Sequence, residues 1–255
     1  MEALLTVMER LRDKKTGCEW DKEQDFKSIA PFTIEEAYEV ADAIARENHE
    51  DLKLELGDLL LQVVFLSQIA KEEGLFEFND VANAISHKLI SRHPYVFEDP
   101  KEHTSEEQLE SWENTKANER NSLNFQSLMD DIALTLPALM RSQKIQKRAS
   151  RVGFDWDSKE GYFAKIEEEI NELKKAIENK DKINIEEEIG DMLMILTNLS
   201  RHLKVDAETA LDKSNRKFEK RFRYIENELK KDGKTPNDSS LEEMDKLWDE
   251  AKLIN

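Results

Sequence analysis

Two groups of carboxylates stand close together in the second half of the chain, at a spacing that can hold a metal ion. The first lies in EEEINEL, and the second opens the apolar stretch IEEEIGDMLMILTNLSRHL. Residues three apart share one face of a helix, so Glu169 and Glu172 project together, as do Glu188 and Asp191. On two antiparallel helices that lie side by side, the four carboxylates converge.

Converging carboxylates repel one another and raise one another's pKa unless a positive charge lies among them. Neither short acidic motif contains a lysine or an arginine that could neutralise it. A set of oxygen ligands without cysteine or histidine suits a hard divalent cation rather than zinc. We therefore predict a site for Mg²⁺, with Mn²⁺ as an alternative, whose ligands are Glu169, Glu172, Glu188 and Asp191.

The same acidic pattern occurs earlier in the chain, which is a tandem repeat. LELGDLLLQVVFLSQ matches EEIGDMLMILTNLSR, and IEEAYEV matches EEEINEL at the same offset. GCEWDKEQDF and GFDWDSKEGYF stand before the two acidic motifs in the same way. The first copy therefore offers an equivalent set of metal ligands, namely Glu36, Glu39, Glu55 and Asp58.

Other interpretations of the acidic motifs have to be weighed. A run of glutamates is usually a solvated helix face, and 37% of this chain is charged. Repetition of the spacing beside the most apolar segment of each half argues against that interpretation. A di-iron carboxylate bundle needs Glu-x-x-His on two helices, but none of the five histidines has a glutamate three residues before it. A non-catalytic helical scaffold, or a regulatory protein that binds nucleotides, stays open.

The elements that must position these carboxylates are helices. Seven glycines and five prolines are few for 255 residues, whereas Glu, Lys and Leu abound, so we predict an all-α protein. Each copy is expected to form a four-helix unit in which the acidic helix lies antiparallel to the apolar one, as in a helical bundle. The predicted domains are residues 1–116 and 132–255, joined by a linker at 117–131 that lacks apolar periodicity.

Charge and composition limit the partners of the protein. A net charge of −18 repels the phosphate backbone of nucleic acids, which we exclude as partners. No apolar run reaches the roughly 18 residues that span a membrane. Cys18 is the single cysteine and has no disulfide partner within the chain, so a reducing cytoplasm is the expected location. The apolar stripes predict a homodimer, because one unit resembles half of a larger bundle.

Basic residues near the end of each copy suit an anionic substrate. Lys217 and Arg221 are four residues apart on one helix face, where they could clamp phosphate oxygens opposite a metal. Lys88 and Arg92 repeat this pair in the first copy. Salt bridges on the protein surface would explain such pairs equally well. Trp248 could stack on a base, although packing within the bundle is the simpler role for a tryptophan.

These motifs resemble a known family. The EExxE and ExxD clusters, the GCEWD and GFDWD segments and the stretch PALMRSQKIQKRASRVGFDW are similar to the MazG family, two-domain nucleoside triphosphate pyrophosphohydrolases of the all-α NTP pyrophosphatase superfamily. The similarity covers essentially the whole chain. It implies Mg²⁺-dependent hydrolysis of nucleoside triphosphates between the α and β phosphates, which yields the monophosphate and pyrophosphate.

The resemblance also implies roles for individual residues. It places metal ligands at Glu169, Glu172, Glu188 and Asp191, and nucleotide contacts at Lys116, Lys165, Glu168, Lys217, Arg221 and Trp248. Glu168, which is not one of the ligands, is a candidate to take a proton from the attacking water. Lys217 and Arg221 would then stabilise the charge on the pyrophosphate leaving group.

The two copies differ at one polar position. Asn215 of the second copy aligns with Ser86, so the first copy lacks an amide that could hold a sugar hydroxyl or a phosphate. The resemblance implies that the second domain is the main catalyst, and this difference agrees. Asn184 departs from the family, whose members can carry a lysine at that position.

Overall fold

The computed structural model describes residues 1–97, 104, 107–108, 111–112, 115–116, 119 and 125–254. These residues contain α-helices, one short 3₁₀ helix and no strand, which confirms the all-α prediction. The chain divides into two compact units, Met1–Leu123 and Asn124–Asn255. The division falls inside the predicted linker at 117–131, part of which lies outside the described residues.

Six helices are described in the first unit. They are α1 (Glu2–Leu11), α2 (Glu19–Glu23), α3 (Phe26–Ala45), α4 (His49–Glu72), α5 (Phe78–Arg92) and α6 (Pro94–Phe97). The apolar helix α4 contacts α1, α3 and α5, and its contact with the acidic helix α3 is the most extensive. The core of this unit is formed by Met8, Ile29, Val64, Phe65 and Ile69.

The second unit repeats the packing of α1, α3, α4 and α5 in its first four helices, and a fifth helix follows them. Its helices are α7 (Ala138–Ser150), α8 (Lys159–Glu178), α9 (Lys182–His202), α10 (Ala207–Lys231) and α11 (Leu241–Leu253), with a 3₁₀ turn at Pro236–Asp238. Helix α9 contacts α7, α8 and α10, whereas α11 packs on α10. The predicted four-helix unit therefore corresponds to α7–α10, and α11 is an addition to it.

Short polar connections fix the antiparallel pairing that the sequence predicts. Asn48 caps α4 by accepting a hydrogen bond from the backbone N–H of Asp51. Asp181 caps α9 in the same way, through the N–H groups of Ile183 and Asn184. Each cap satisfies backbone donors that have no partner inside the helix, so the chain reverses and starts the next helix within a few residues. The acidic and apolar helices of each unit consequently lie side by side.

No helix in the part of the chain that the structure describes is both long and apolar enough to cross a lipid bilayer.

Candidate active site

Three of the four predicted ligands of the second unit come together between α8 and α9. Glu169 and Glu172 lie one turn apart on α8, and Glu188 faces them from α9, with carboxylate oxygens of all three within 4.8 Å of one another. Asp191 stands one turn after Glu188 and lines a cavity together with Glu169. The helix pair therefore presents a compact group of carboxylates with the aspartate at its edge.

The electrostatics of this cluster favour a bound cation. Burial raises the pKa of Glu188, and a hydrogen bond with Glu169 and the negative charges of Glu172 and Asp191 raise that pKa further. A raised carboxyl pKa means that the ionised form is disfavoured where it stands. A divalent cation reverses this penalty, and an all-carboxylate donor set fits a hard ion such as Mg²⁺ or Mn²⁺.

One lysine already neutralises part of the cluster. Lys165 Nζ lies 2.7 Å from Glu168 Oε1 and 2.8 Å from Glu169 Oε1. Hydrogen bonds to Glu168 and then to Glu169 raise the pKa of Lys165. The lysine lies outside the short acidic motifs, one helical turn before Glu169, and its ammonium group contacts that buried carboxylate.

A cavity of about 460 Å³ adjoins the acidic cluster. Lys165, Glu169 and Asp191 form one part of its wall, and Trp156 and Asn198 form another. Sites of this size that combine an apolar lining with a few polar groups commonly receive small molecules. The cavity is thus of a size to receive a small molecule beside the carboxylates.

A partly buried polar network lies beside the cavity, and sequence reasoning missed it. Tyr162 OH donates to Asp155 Oδ1 at 2.6 Å, and Arg201 Nη2 pairs with the other oxygen of Asp155. Arg201 Nε also donates to Asn198 Oδ1 at 2.8 Å. Burial and the hydrogen bond to Asp155 raise the pKa of Tyr162 to about 12, so its hydroxyl stays a donor. The network ties the segment before α8 to α9.

Trp156 is held in the wall of the cavity by close packing. Its ring lies edge-on to Tyr162, with ring centroids 4.8 Å apart. Gly161 on α8 permits this position, because a Cβ atom at that residue would lie 2.5 Å from Trp156 Cδ1. Such a distance is shorter than any van der Waals contact, so a side chain at position 161 would displace the indole.

The first unit carries an equivalent acidic cluster. Carboxylate oxygens of Glu36, Glu39 and Glu55 lie within 4.8 Å of one another. Burial raises the pKa of Glu36, and the charge of Asp58 raises it further. Gln62 Nε2 donates a hydrogen bond to Glu36 Oε1 at 3.3 Å. Both units therefore place three predicted ligands together, with the aspartate acting on the cluster through its charge.

The predicted nucleotide contacts on α10 and α11 lie outside the wall of the cavity. Asn215 and Lys217 are exposed on α10. The guanidinium carbon of Arg221 lies 5.4 Å from the ring centroid of Trp248, and the ring of Phe218 lies 5.1 Å from the same indole. Trp248 therefore contacts both Arg221 and Phe218 within its own unit.

The predicted contacts of the first unit also have partners in their own unit. Lys116 Nζ lies 4.6 Å from the ring centroid of Trp112. Arg92 Nε donates to Glu119 Oε1 at 3.0 Å, so this member of the first basic pair makes a salt bridge.

Comparison with known proteins finds matches in both units. The MazG nucleotide pyrophosphohydrolase domain matches residues 24–97 and 157–225. The chain is 50% identical over 254 residues to the nucleoside triphosphate pyrophosphohydrolase of Escherichia coli (strain K12), covering 99% of this chain and 97% of that protein. It is 45% identical over 251 residues to the nucleoside triphosphate pyrophosphohydrolase/pyrophosphatase MazG of Thermotoga maritima, covering 98% of this chain and 95% of that protein.

Proposed function

Because this chain belongs to the MazG family of nucleotide pyrophosphohydrolases, we propose that it hydrolyses nucleoside triphosphates between the α and β phosphates, releasing a nucleoside monophosphate and pyrophosphate. It is a nucleoside triphosphate pyrophosphohydrolase, a hydrolase that acts on acid anhydrides. The observation that carries the proposed reaction is the carboxylate cluster between α8 and α9, which opens onto a cavity of about 460 Å³.

The carboxylates of Glu169, Glu172, Glu188 and Asp191 hold Mg²⁺ in this proposal, and Mn²⁺ can replace it. The bound ion supplies positive charge to the triphosphate and makes water a better nucleophile. The raised pKa of Glu188 supports the assignment, since burial and the neighbouring charges disfavour its ionised form when no cation is bound.

Three basic residues are assigned to the phosphates. Lys165 stands at the boundary between the acidic cluster and the cavity, where it can release Glu168 and contact an incoming phosphate. Lys217 and Arg221 are assigned to the charge that develops on the leaving pyrophosphate. Glu168 is exposed beside the cluster and accepts the proton of the attacking water.

The remaining nucleotide contacts rest on the resemblance to the family. They are Lys116 and Trp248. Asn215 is assigned on its own chemistry, because its amide can hold a sugar hydroxyl or a phosphate. Catalysis is assigned mainly to the second domain, residues 132–255, and the domain of residues 1–116 is mainly structural or regulatory. The substrates are free nucleotides in a reducing cytoplasm.

The enzyme is proposed to act as a homodimer. Ile189, Leu193 and Leu196 follow one another at helical spacing on α9, with exposed fractions of 46%, 51% and 45%. Three large apolar side chains on one helix face expose a continuous stripe to water, and burial of such a stripe against a second copy stabilises the assembly.

Product analysis tests the proposed reaction. The protein is incubated with each of the common nucleoside triphosphates and Mg²⁺, and the products are separated by ion-exchange chromatography. Monophosphate with pyrophosphate is the expected outcome, whereas diphosphate with orthophosphate would contradict the proposed bond. Glu172→Gln serves as the matched control for a contaminating phosphatase, because it removes one proposed ligand and leaves the side chain nearly the same size.

A further inference from the structure

The cavity beside the second acidic cluster is lined by both Asp191 and Asn198, which are about two helical turns apart on α9, so one end of it lies away from the carboxylates. At that end Asn198 is only 4% exposed, yet its side chain lines the cavity. The established activity leaves this buried amide without a role. We infer that the cavity receives the base of the nucleotide, and that Asn198 Nδ2 donates a hydrogen bond to an acceptor on the edge of that base. This inference rests on the proposed function for the position of the phosphates.

The orientation of the Asn198 amide is fixed by its neighbour. Arg201 Nε can only donate, so the atom of Asn198 that lies 2.8 Å from it must be the carbonyl oxygen. The NH₂ group therefore points away from Arg201. Within the described residues this group donates to no protein atom, since the bond to Arg201 uses the carbonyl oxygen. The group is accessible from the cavity that Asn198 lines, so an acceptor on a ligand can take its hydrogen bond in place of water.

The rest of this end of the cavity suits a flat aromatic ring. Trp156 presents an indole that Gly161 and Tyr162 hold in place, and Met194 and Ile195 add apolar surface from α9. Stacking on an aromatic side chain is available to every base, whereas a hydrogen bond at the edge discriminates between bases. Trp156 thus supplies affinity and Asn198 supplies selectivity.

The first unit has the same fold but lacks the polar residues that accompany the tryptophan in the second unit. Phe65 aligns with Asn198, and Phe32 aligns with Lys165. Trp20 is the counterpart of Trp156. Its ring lies edge-on to both phenylalanines, with its centroid 6.1 Å from that of Phe32 and 6.4 Å from that of Phe65. Three aromatic rings pack together at positions where the second unit has a tryptophan beside a cavity and two polar groups.

Binding measurements separate the base from the phosphates. Isothermal titration calorimetry in Mg²⁺ compares the α,β-methylene analogues of ATP, GTP, CTP and UTP, which resist cleavage, with inorganic tripolyphosphate, which has no base. The wild-type protein is expected to bind the analogues with affinities that depend on the base. Asn198→Leu should weaken the best-bound analogue by about tenfold, as loss of one buried hydrogen bond does, and change tripolyphosphate by less than about twofold.

Thr197→Val is the matched control. Thr197 is buried next to Asn198 on α9 and donates to Leu193 O at 2.7 Å, but it does not line the cavity. Its substitution should leave the order of affinities unchanged. Asn198→Asp is the second variant, because it keeps the acceptor for Arg201 and replaces the donor with another acceptor. Asn198→Asp should lose the wild-type order of affinities among the four analogues. This variant tests the inference even if Asn198→Leu folds poorly.

Two outcomes would overturn the inference. If the affinity for every analogue stays at the wild-type value in both Asn198 variants, the base does not reach this amide. If tripolyphosphate weakens as much as the analogues do, Asn198 acts on the phosphate end. Product analysis on the wild-type protein is a separate experiment. If the protein binds the analogues base-selectively but releases no monophosphate, only the proposed function is refuted. If it releases monophosphate but binds the analogues without base selectivity, only this inference is refuted.

Discussion

Lys165 Nζ lies 2.8 Å from Oε1 of Glu169, a carboxylate that is only 3% exposed. The lysine therefore offsets one of the charges that a metal ion is proposed to bind. In the first unit the aligned residue is Phe32, which offers no charge to the cluster. The two acidic clusters are alike in their carboxylates and differ in the cation beside them.

Lys165→Met is expected to change metal binding and turnover in opposite directions. Removing the ammonium group leaves Glu169 without its partner, so affinity for Mg²⁺ should increase severalfold. Turnover should fall by about tenfold or more, because a charge beside the phosphates is lost. Calorimetric titration with Mg²⁺ and steady-state kinetics measure the two effects. Lys175→Met, at an exposed position on the same helix, is the control and should change neither.

Metal binding is expected to stabilise the protein by relieving repulsion within the cluster. Glu188→Gln should raise the thermal unfolding temperature in the presence of a chelator, because burial and the neighbouring carboxylates disfavour its charge and raise its pKa. The same variant should gain less from added Mg²⁺ than the wild type, having lost a ligand. Differential scanning calorimetry measures the unfolding temperature of each protein with chelator and with Mg²⁺. Glu186→Gln, at an exposed position on the same helix, is the control. A variant that is destabilised without metal would contradict this account.

Stability at low pH should depend on Asp155. Burial opposes its ionisation, but hydrogen bonds from Tyr162 and Arg201 prevail and hold its pKa below the ordinary value. Its contribution is therefore present above the unfolded pKa of about 3.9 and is lost as the pH falls through the lower folded value. In urea unfolding, Asp155→Asn should be less stable than the wild type at pH 7, with a difference that shrinks below about pH 4. A difference that stays constant down to pH 3 would refute this.

The sequence determines some of these relationships locally and leaves others to tertiary packing. Convergence of Glu169 with Glu188 follows from helical spacing and one short connection, so the pattern alone predicts it. The pairing of Asp155 with Arg201 joins a loop to the far end of α9, and no local period encodes it. The sequence contains one indication of this pair, which is a difference between the copies: the first copy has Gln68 at the position aligned with Arg201.

Dimerisation should depend on the exposed stripe of α9. Leu193→Glu places a charge at the centre of that stripe, where it would have to be desolvated in an interface. Sedimentation velocity at micromolar concentration is expected to show a dimer for the wild type and a monomer for the variant. Leu253→Glu, near the end of α11 and 87% exposed, is the control and should remain dimeric. A wild-type protein that sediments as a monomer would refute the proposed assembly.

The two acidic clusters should contribute unequally to catalysis. Glu172 and Glu39 occupy equivalent positions, and each has its carboxylate within 4.8 Å of two others. Only the second cluster has a lysine on the adjacent helical turn and an asparagine in the nearby cavity, since the first copy carries Phe32 and Phe65 there. Glu172→Gln should therefore lower kcat by about two orders of magnitude, whereas Glu39→Gln should leave most of the turnover in place.

The comparison requires evidence that both variants are folded, because relief of carboxylate repulsion can stabilise either unit and hide a loss of activity. Circular dichroism and the unfolding temperature of each variant supply that evidence. If Glu39→Gln costs as much turnover as Glu172→Gln with the fold intact, then either both clusters are catalytic or the units are tightly coupled. In that case the aromatic packing of Trp20 against Phe32 and Phe65 does not make the first unit inactive.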